Sequence, residues 1–94
     1  MEKILHLTLK KKWFDLIKSG EKKEEYREIK PYWTKRLTIN DRAIKNYNYI
    51  IFTNGYRKDS PKLKIEYLGL GVGEFENRKC YVLKLGKIWD ENLQ

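Results

Sequence analysis

Between Ile4 and Ile17 the apolar residues change period, and that change leaves few folds open to the chain. Ile4, Leu5, Leu7 and Leu9 stand among His6, Thr8 and Lys10 in a mostly alternating pattern, the mark of a strand with one face turned inward. Trp13, Phe14, Leu16 and Ile17 then recur at helical spacing within Lys11 to Ser19. Gly20 follows, where a helix C-cap wants a residue at ease with positive φ. The opening therefore reads as strand, helix, glycine stop.

The remainder reads mostly as β-structure. Lys22 to Ile29 has no apolar stripe, but Tyr26 and Ile29 favour a strand and Pro31 closes the segment. Pro31, Tyr32 and Trp33 lead to Leu37 and Ile39 in a pattern that suits a short helical turn. Asn40-Asp41 is its exit, and residues 40 to 47 read as a solvated loop. Tyr47 to Thr53, Lys62 to Leu70 and Lys79 to Leu85 are three further strands, rich in Ile, Val, Tyr and Phe. Asn54-Gly55 and Asp59-Ser60-Pro61 supply the turns of one link, and Gly71 through Asn77 the other. Several short strands with one clear early helix, in a chain of 94 residues, predict an α+β fold. The expected form is a small mixed β-barrel with one main N-terminal helix and a short second helix, because closure removes edges that so short a chain cannot cover. Residues 1–94 make one domain, and a 14 % aromatic share gives it a workable core.

Charge narrows the function. Against 13 Asp and Glu stand 21 Lys and Arg, a formal net charge of +8. Apolar residues recur throughout, so this surplus sits on a folded surface, where it attracts polyanions through counterion release. Nucleic acid is the natural partner, with an acidic membrane surface and plain solubility as the alternatives. No run approaches the roughly 20 apolar residues of a membrane span, and none forms a secretory leader. Cys80, the single cysteine, lies in an apolar alternation and is expected to be a buried small hydrophobe. A soluble protein of the reducing cytoplasm, without membrane association, is the expectation.

The densest chemistry lies in Gly20-Glu21-Lys22-Lys23-Glu24-Glu25-Tyr26-Arg27, which holds glycine, lysine, glutamate and arginine at spacing G-x-K-x-x-E-x-R. On a regular strand Glu25 and Arg27 share a face and Lys22 points away. Lys22 can join them only from a turn or bulge after Gly20. One carboxylate between two cations can hold a phosphate while Glu25 accepts from a base amino group, and it can equally be a surface ion-pair network.

This motif, with its setting, resembles the ASCH domain, a small PUA-like β-barrel family whose G-x-K-x-x-E-x-R signature Gly20, Lys22, Glu25 and Arg27 match in full. The resemblance extends to Leu7-Thr8-Leu9 closing a first strand, to Trp13-Phe14 in an amphipathic helix and to Ser19-Gly20 before the motif. It also looks like the small phage and bacterial members in Lys30-Pro31-Tyr32-Trp33 and in Asn54-Gly55-Tyr56. The resemblance implies a PUA-like barrel whose motif lines a cleft that receives RNA or a modified nucleotide. It also implies two alternative chemistries, an amidohydrolase acting on acetylated cytidine and a metal-assisted ribonuclease. Lys22 would take the hydrolase lysine's place, with Glu25 as general base. The hydrolase branch, however, has a threonine where this chain has Glu25, and its second carboxylate could fall to Glu66, Glu74 or Glu76. A further alternative is a phage-encoded protein-interaction module that docks through its basic charge.

Around the motif, Tyr26, Tyr32, Trp33 and Tyr56 interleave with Lys22, Arg27, Lys30, Lys35, Arg36 and Arg57, a mixture that stacks unpaired bases while cations follow the backbone. The expected nucleic-acid contacts are Lys22, Glu25, Arg27, Trp33, Asn54, Tyr56 and Arg57. Tyr32 and Trp33 serve a core equally well, and Gly55 serves a plain turn. His6 is expected to be a packed strand residue. With no Cys/His cluster a structural zinc site is excluded, no carboxylate pair is dedicated to a metal, and no cofactor is expected. Lys10-Lys11-Lys12 reads as the solvated start of the first helix, and neither a P-loop nor a nucleophile elbow is present.

Overall fold

Leu5, Leu7 and Leu9 are buried while Ile4, His6 and Thr8 are not, so the first strand, β1 (Ile4–Leu9), keeps the alternation of its sequence. The structure, a computed structural model, describes residues 3–39 and 43–93. Helix α1 (Lys11–Lys18) buries Phe14 and Ile17 against the leucines of β1. Lys10 starts it without a side-chain cap, and its carbonyl accepts from the amides of Trp13 and Phe14. Gly20 ends the turn at φ +85°, a conformation that a residue with a Cβ enters only at a cost.

The chain continues through β2 (Glu24–Glu28), α2 (Pro31–Leu37), β3 (Thr38–Ile39), β4 (Ala43–Ile44), β5 (Tyr49–Asn54), β6 (Lys62–Phe75) and β7 (Arg78–Leu93). Pro31 opens α2, where its missing N–H is no loss. Thr34 holds α2 to the sheet through a 2.5 Å hydrogen bond with the Tyr81 hydroxyl. Five strands form one sheet in the order β1-β5-β6-β7-β2, with β1 and β5 parallel and the other pairs antiparallel, and β3 with β4 makes a separate ribbon. Both helices contribute to one core, where Phe14, Ile17 and Leu37 join Ile50, Phe52, Leu63 and Leu83. Burying each such side chain is worth roughly 1.5–3 kcal/mol. Among the described residues no helix is long and apolar enough to cross a membrane.

The expected α+β domain is present, but the sheet does not close into a barrel. No ladder joins its edge strands, β1 and β2, and the Arg27 guanidinium spans the gap, donating to the Thr8 carbonyl at 3.3 Å. Register shifts between Lys62 and Gly69 bend β6, and Gly69 sits at φ +141° in the last of them. The bent hairpin of β6 and β7 curls the sheet far enough to bring its edges within a side chain's reach, and a charged cluster occupies that seam.

Two local expectations are corrected. Gly71 through Asn77 is not a loop, since β6 runs on to Phe75 and the turn is only Glu76-Asn77, both at positive φ as a tight hairpin turn requires. Gly73 serves packing, because a Cβ there would meet Val82 Cγ2 at 3.0 Å. The stretch read as a solvated loop falls partly on residues 40–42, outside the described residues, but Ala43–Ile44 pairs with β3 and Tyr47 packs on the core.

Candidate functional site

Lys22 precedes β2 and donates its amide to the Leu16 carbonyl at 3.0 Å, so the end of α1 fixes its backbone. Freed from the strand's alternation, its ammonium lies 3.3 Å from Glu25 Oε1. The Arg27 guanidinium takes the other carboxylate oxygen, Oε2, and Arg27 also donates to the Tyr26 carbonyl at 2.9 Å. Glu25 is buried, 4 % exposed, and its companions are themselves mostly covered. A buried carboxylate must be paired, and here each oxygen has its own cation. The trio carries one positive charge in excess.

Aromatic rings wall the cluster. Arg27 lies 5.1 Å from the Trp33 ring centroid, and Lys22 lies 4.4 Å from that of Tyr26 and 5.4 Å from that of Trp13. Tyr26 in turn stacks on Phe75 at 4.9 Å, and burial, followed by its hydrogen bond to Glu24, pushes its hydroxyl above the usual tyrosine range. Cations held over ring faces with little water between them gain more than exposed ones do.

The trio lines a cavity of about 1320 Å³ in the seam between the sheet edges. That exceeds the roughly 300–1,000 Å³ of small-ligand pockets. Asn54, at the end of β5, and Tyr56, just beyond it, stand on its wall, placed by a 3.1 Å bond from the Gly55 amide to the Leu9 carbonyl. Tyr56 is 93 % exposed, so its ring is open to a ligand. Trp33 is half-buried, packing on the core and carrying the Arg27 guanidinium, so it serves both of the roles the sequence left open. Arg57, expected in the same group, is exposed in the 55–60 turn and outside the cavity lining. His6 is not packed as expected. It lies exposed on β1 at the cavity rim, on the face opposite to the buried Leu5 and Leu7.

Sequence reasoning placed Arg36 only among flanking cations, yet it lines the cavity, 5.4 Å from the Tyr32 ring centroid and 5.9 Å from that of Trp33. The signal available was spacing, since Tyr32 and Arg36 are helical neighbours at i and i+4. Glu66, Glu74 and Glu76, the candidates for a second carboxylate, are not gathered beside Glu25: only Glu76 reaches the cavity lining. Among the described residues no three His, Cys, Asp or Glu side chains gather as metal ligands would. Cys80 is buried and unbridged in β7.

No protein-family model, curated protein or solved structure matches the chain.

Proposed function

We propose that the chain is an ASCH-like protein, an open-edged relative of the PUA-like barrel, that binds single-stranded RNA or a modified nucleotide in the cleft between its sheet edges. It acts in the reducing cytoplasm, where Cys80 stays a thiol. The observation that carries this reading is the convergence of Lys22, Glu25 and Arg27, from a loop and one strand face, on the wall of a single aromatic-lined cavity. Lys22 and Arg27 meet phosphate or base carbonyl oxygens, and Glu25 keeps lone pairs for an exocyclic amine beyond the two cations it already serves. Tyr56 supplies the exposed ring for stacking, worth about 1–3 kcal/mol per base.

A hydrolytic role for Glu25 fits less well. The hydrolase branch that the chain resembles has a threonine at the position of Glu25, and Glu66, Glu74 and Glu76 are not gathered beside Glu25 as a second carboxylate. The test is RNA affinity at fixed salt for the wild type, Lys22→Ala, Arg27→Ala and Tyr56→Ala, with circular dichroism verifying each fold. Each substitution is expected to weaken binding about tenfold, and unchanged affinity in folded Tyr56→Ala and Arg27→Ala would place the site elsewhere. Turnover of acetylated cytidine by the wild type, abolished in Glu25→Gln, would overturn the assignment as a binding module.

A further inference from the structure

Lys22 and Arg27 share the Glu25 carboxylate, but among the described residues Arg36 has no such partner. No carboxylate among the described residues lies within ion-pair distance of it, and its Nε is buried with no hydrogen-bond partner. The side chain is half-buried on the cavity wall, and its guanidinium shares the Trp33 ring with that of Arg27. Two like charges over one indole repel, and the repulsion is not screened as it would be in open water.

A structural role accounts for part of this arrangement. Lys35 and Arg36 form the basic last turn of α2, where cations suit the helix dipole, and Arg36 gains from the Tyr32 ring one turn before it. Lys35 fills the dipole role from an exposed position. Arg36 gives up much of its hydration on a cavity wall, against the ring that also carries Arg27, with no counter-ion among the described residues. What that position lacks is an anion, and a planar guanidinium fork suits phosphate oxygens above other partners.

We propose that Arg36 reads a phosphate in the cleft, so that the ligand is a phosphate-bearing nucleotide, seated over Trp33 between Arg36 and Arg27, and not a neutral nucleoside. This rests on the reading of the cleft as a nucleotide site, and it names the chemical class that site accepts. Lys22, Glu25 and Arg27 then address the base and sugar, and Arg36 the phosphate. A free nucleoside would leave Arg36 unanswered.

The experiment is a titration followed by amide chemical shifts, with the four ribonucleosides, their 5′-monophosphates and inorganic phosphate as separate arms. For the wild type at least one monophosphate is expected to bind about tenfold or more tightly than its nucleoside, and inorganic phosphate more weakly than that monophosphate. Arg36→Gln is expected to erase the preference, bringing the monophosphate to the affinity of its nucleoside. Lys35→Gln, which removes the same charge from the same turn, is expected to keep it. Nucleosides that bind as well as their monophosphates, or a preference that survives Arg36→Gln, would overturn the role of Arg36 and leave the cleft reading standing. Loss of the preference in Lys35→Gln as well would reduce the effect to net charge and overturn it too. Inorganic phosphate binding as tightly as every monophosphate would mark an anion site with no nucleotide content. If no nucleoside, no monophosphate and no RNA bound, the cleft reading would fall and this inference with it.

Discussion

The seam between the sheet edges and the core side of β6 both bury polar atoms, and they treat them oppositely. In the seam between the sheet edges Glu25 is almost fully covered, and each carboxylate oxygen meets a cation. On the core side of β6, Tyr67 is 7 % exposed and its hydroxyl, among the described residues, has no partner at all. Tyr47, whose ring meets that of Tyr67 edge-on at 5.9 Å, sends its own hydroxyl to the Arg36 carbonyl at 2.6 Å. Burial pushes the Tyr67 hydroxyl up to about 12, with Tyr47 adding to the effect. The difference is one of cost. An unpaired buried carboxylate would cost several kcal/mol, so that site exists only with its partners, whereas one unbonded hydroxyl costs about 1–3 kcal/mol and the ring's buried area offsets it. The seam is built around charge, and the tyrosine corner is built around area.

That contrast can be broken most forcefully at Glu25. Glu25→Gln keeps the shape but leaves Lys22 and Arg27 without a counter-ion, and urea denaturation is expected to show a loss of about 3–5 kcal/mol. A loss below about 1 kcal/mol would mean that the trio is held loosely and that the seam is no different from the surface. Arg27→Lys keeps the charge but lacks the fork that reaches Glu25, Tyr26 and Thr8 together. A loss of about 1.5–3 kcal/mol is expected by the same measurement, since bonds to charged groups are of that size.

The tyrosine corner responds to pH. Its folded hydroxyl holds its proton more tightly than the unfolded chain's, which titrates near 10. The associated stability is therefore complete below pH 10 and is lost as pH rises through about 12. Thermal unfolding between pH 9 and pH 12 is expected to show a steeper decline for the wild type than for Tyr67→Phe, and parallel curves would remove Tyr67 from the account. The smallest expected effect is that of Tyr67→Phe at pH 7. Deleting an unpartnered buried hydroxyl is expected to leave stability unchanged or to raise it by up to about 1 kcal/mol. A clear destabilisation would show that the hydroxyl does bond in solution, and the contrast with the seam would shrink.

Much of the local structure was legible because its causes are local. Alternation in Ile4 to Leu9, helical spacing in Trp13 to Ile17 and the glycine after Ser19 act within a few residues, and β1, α1 and the positive φ of Gly20 follow them. Failures of the reading came where a residue's role depends on a distant partner. Gly71 and Gly73 looked like turn-formers, but they lie inside β6 opposite Val82 and its neighbours. The strand expected to end at Leu85 runs on to Leu93, paired against the first half of β6.

By itself the sequence determined which residues carry charge beside the first helix, which periods alternate, and where glycine and proline interrupt them. Tertiary structure alone decided that the sheet stays open, that Arg27 spans its edges, that His6 faces out and that Arg36 stands in the cavity with no counter-ion among the described residues. Periodicity and turn chemistry are set by neighbours along the chain. Strand register, the bend of the β6 and β7 hairpin and the pairing of buried charges are set by neighbours in space, which a linear pattern does not encode.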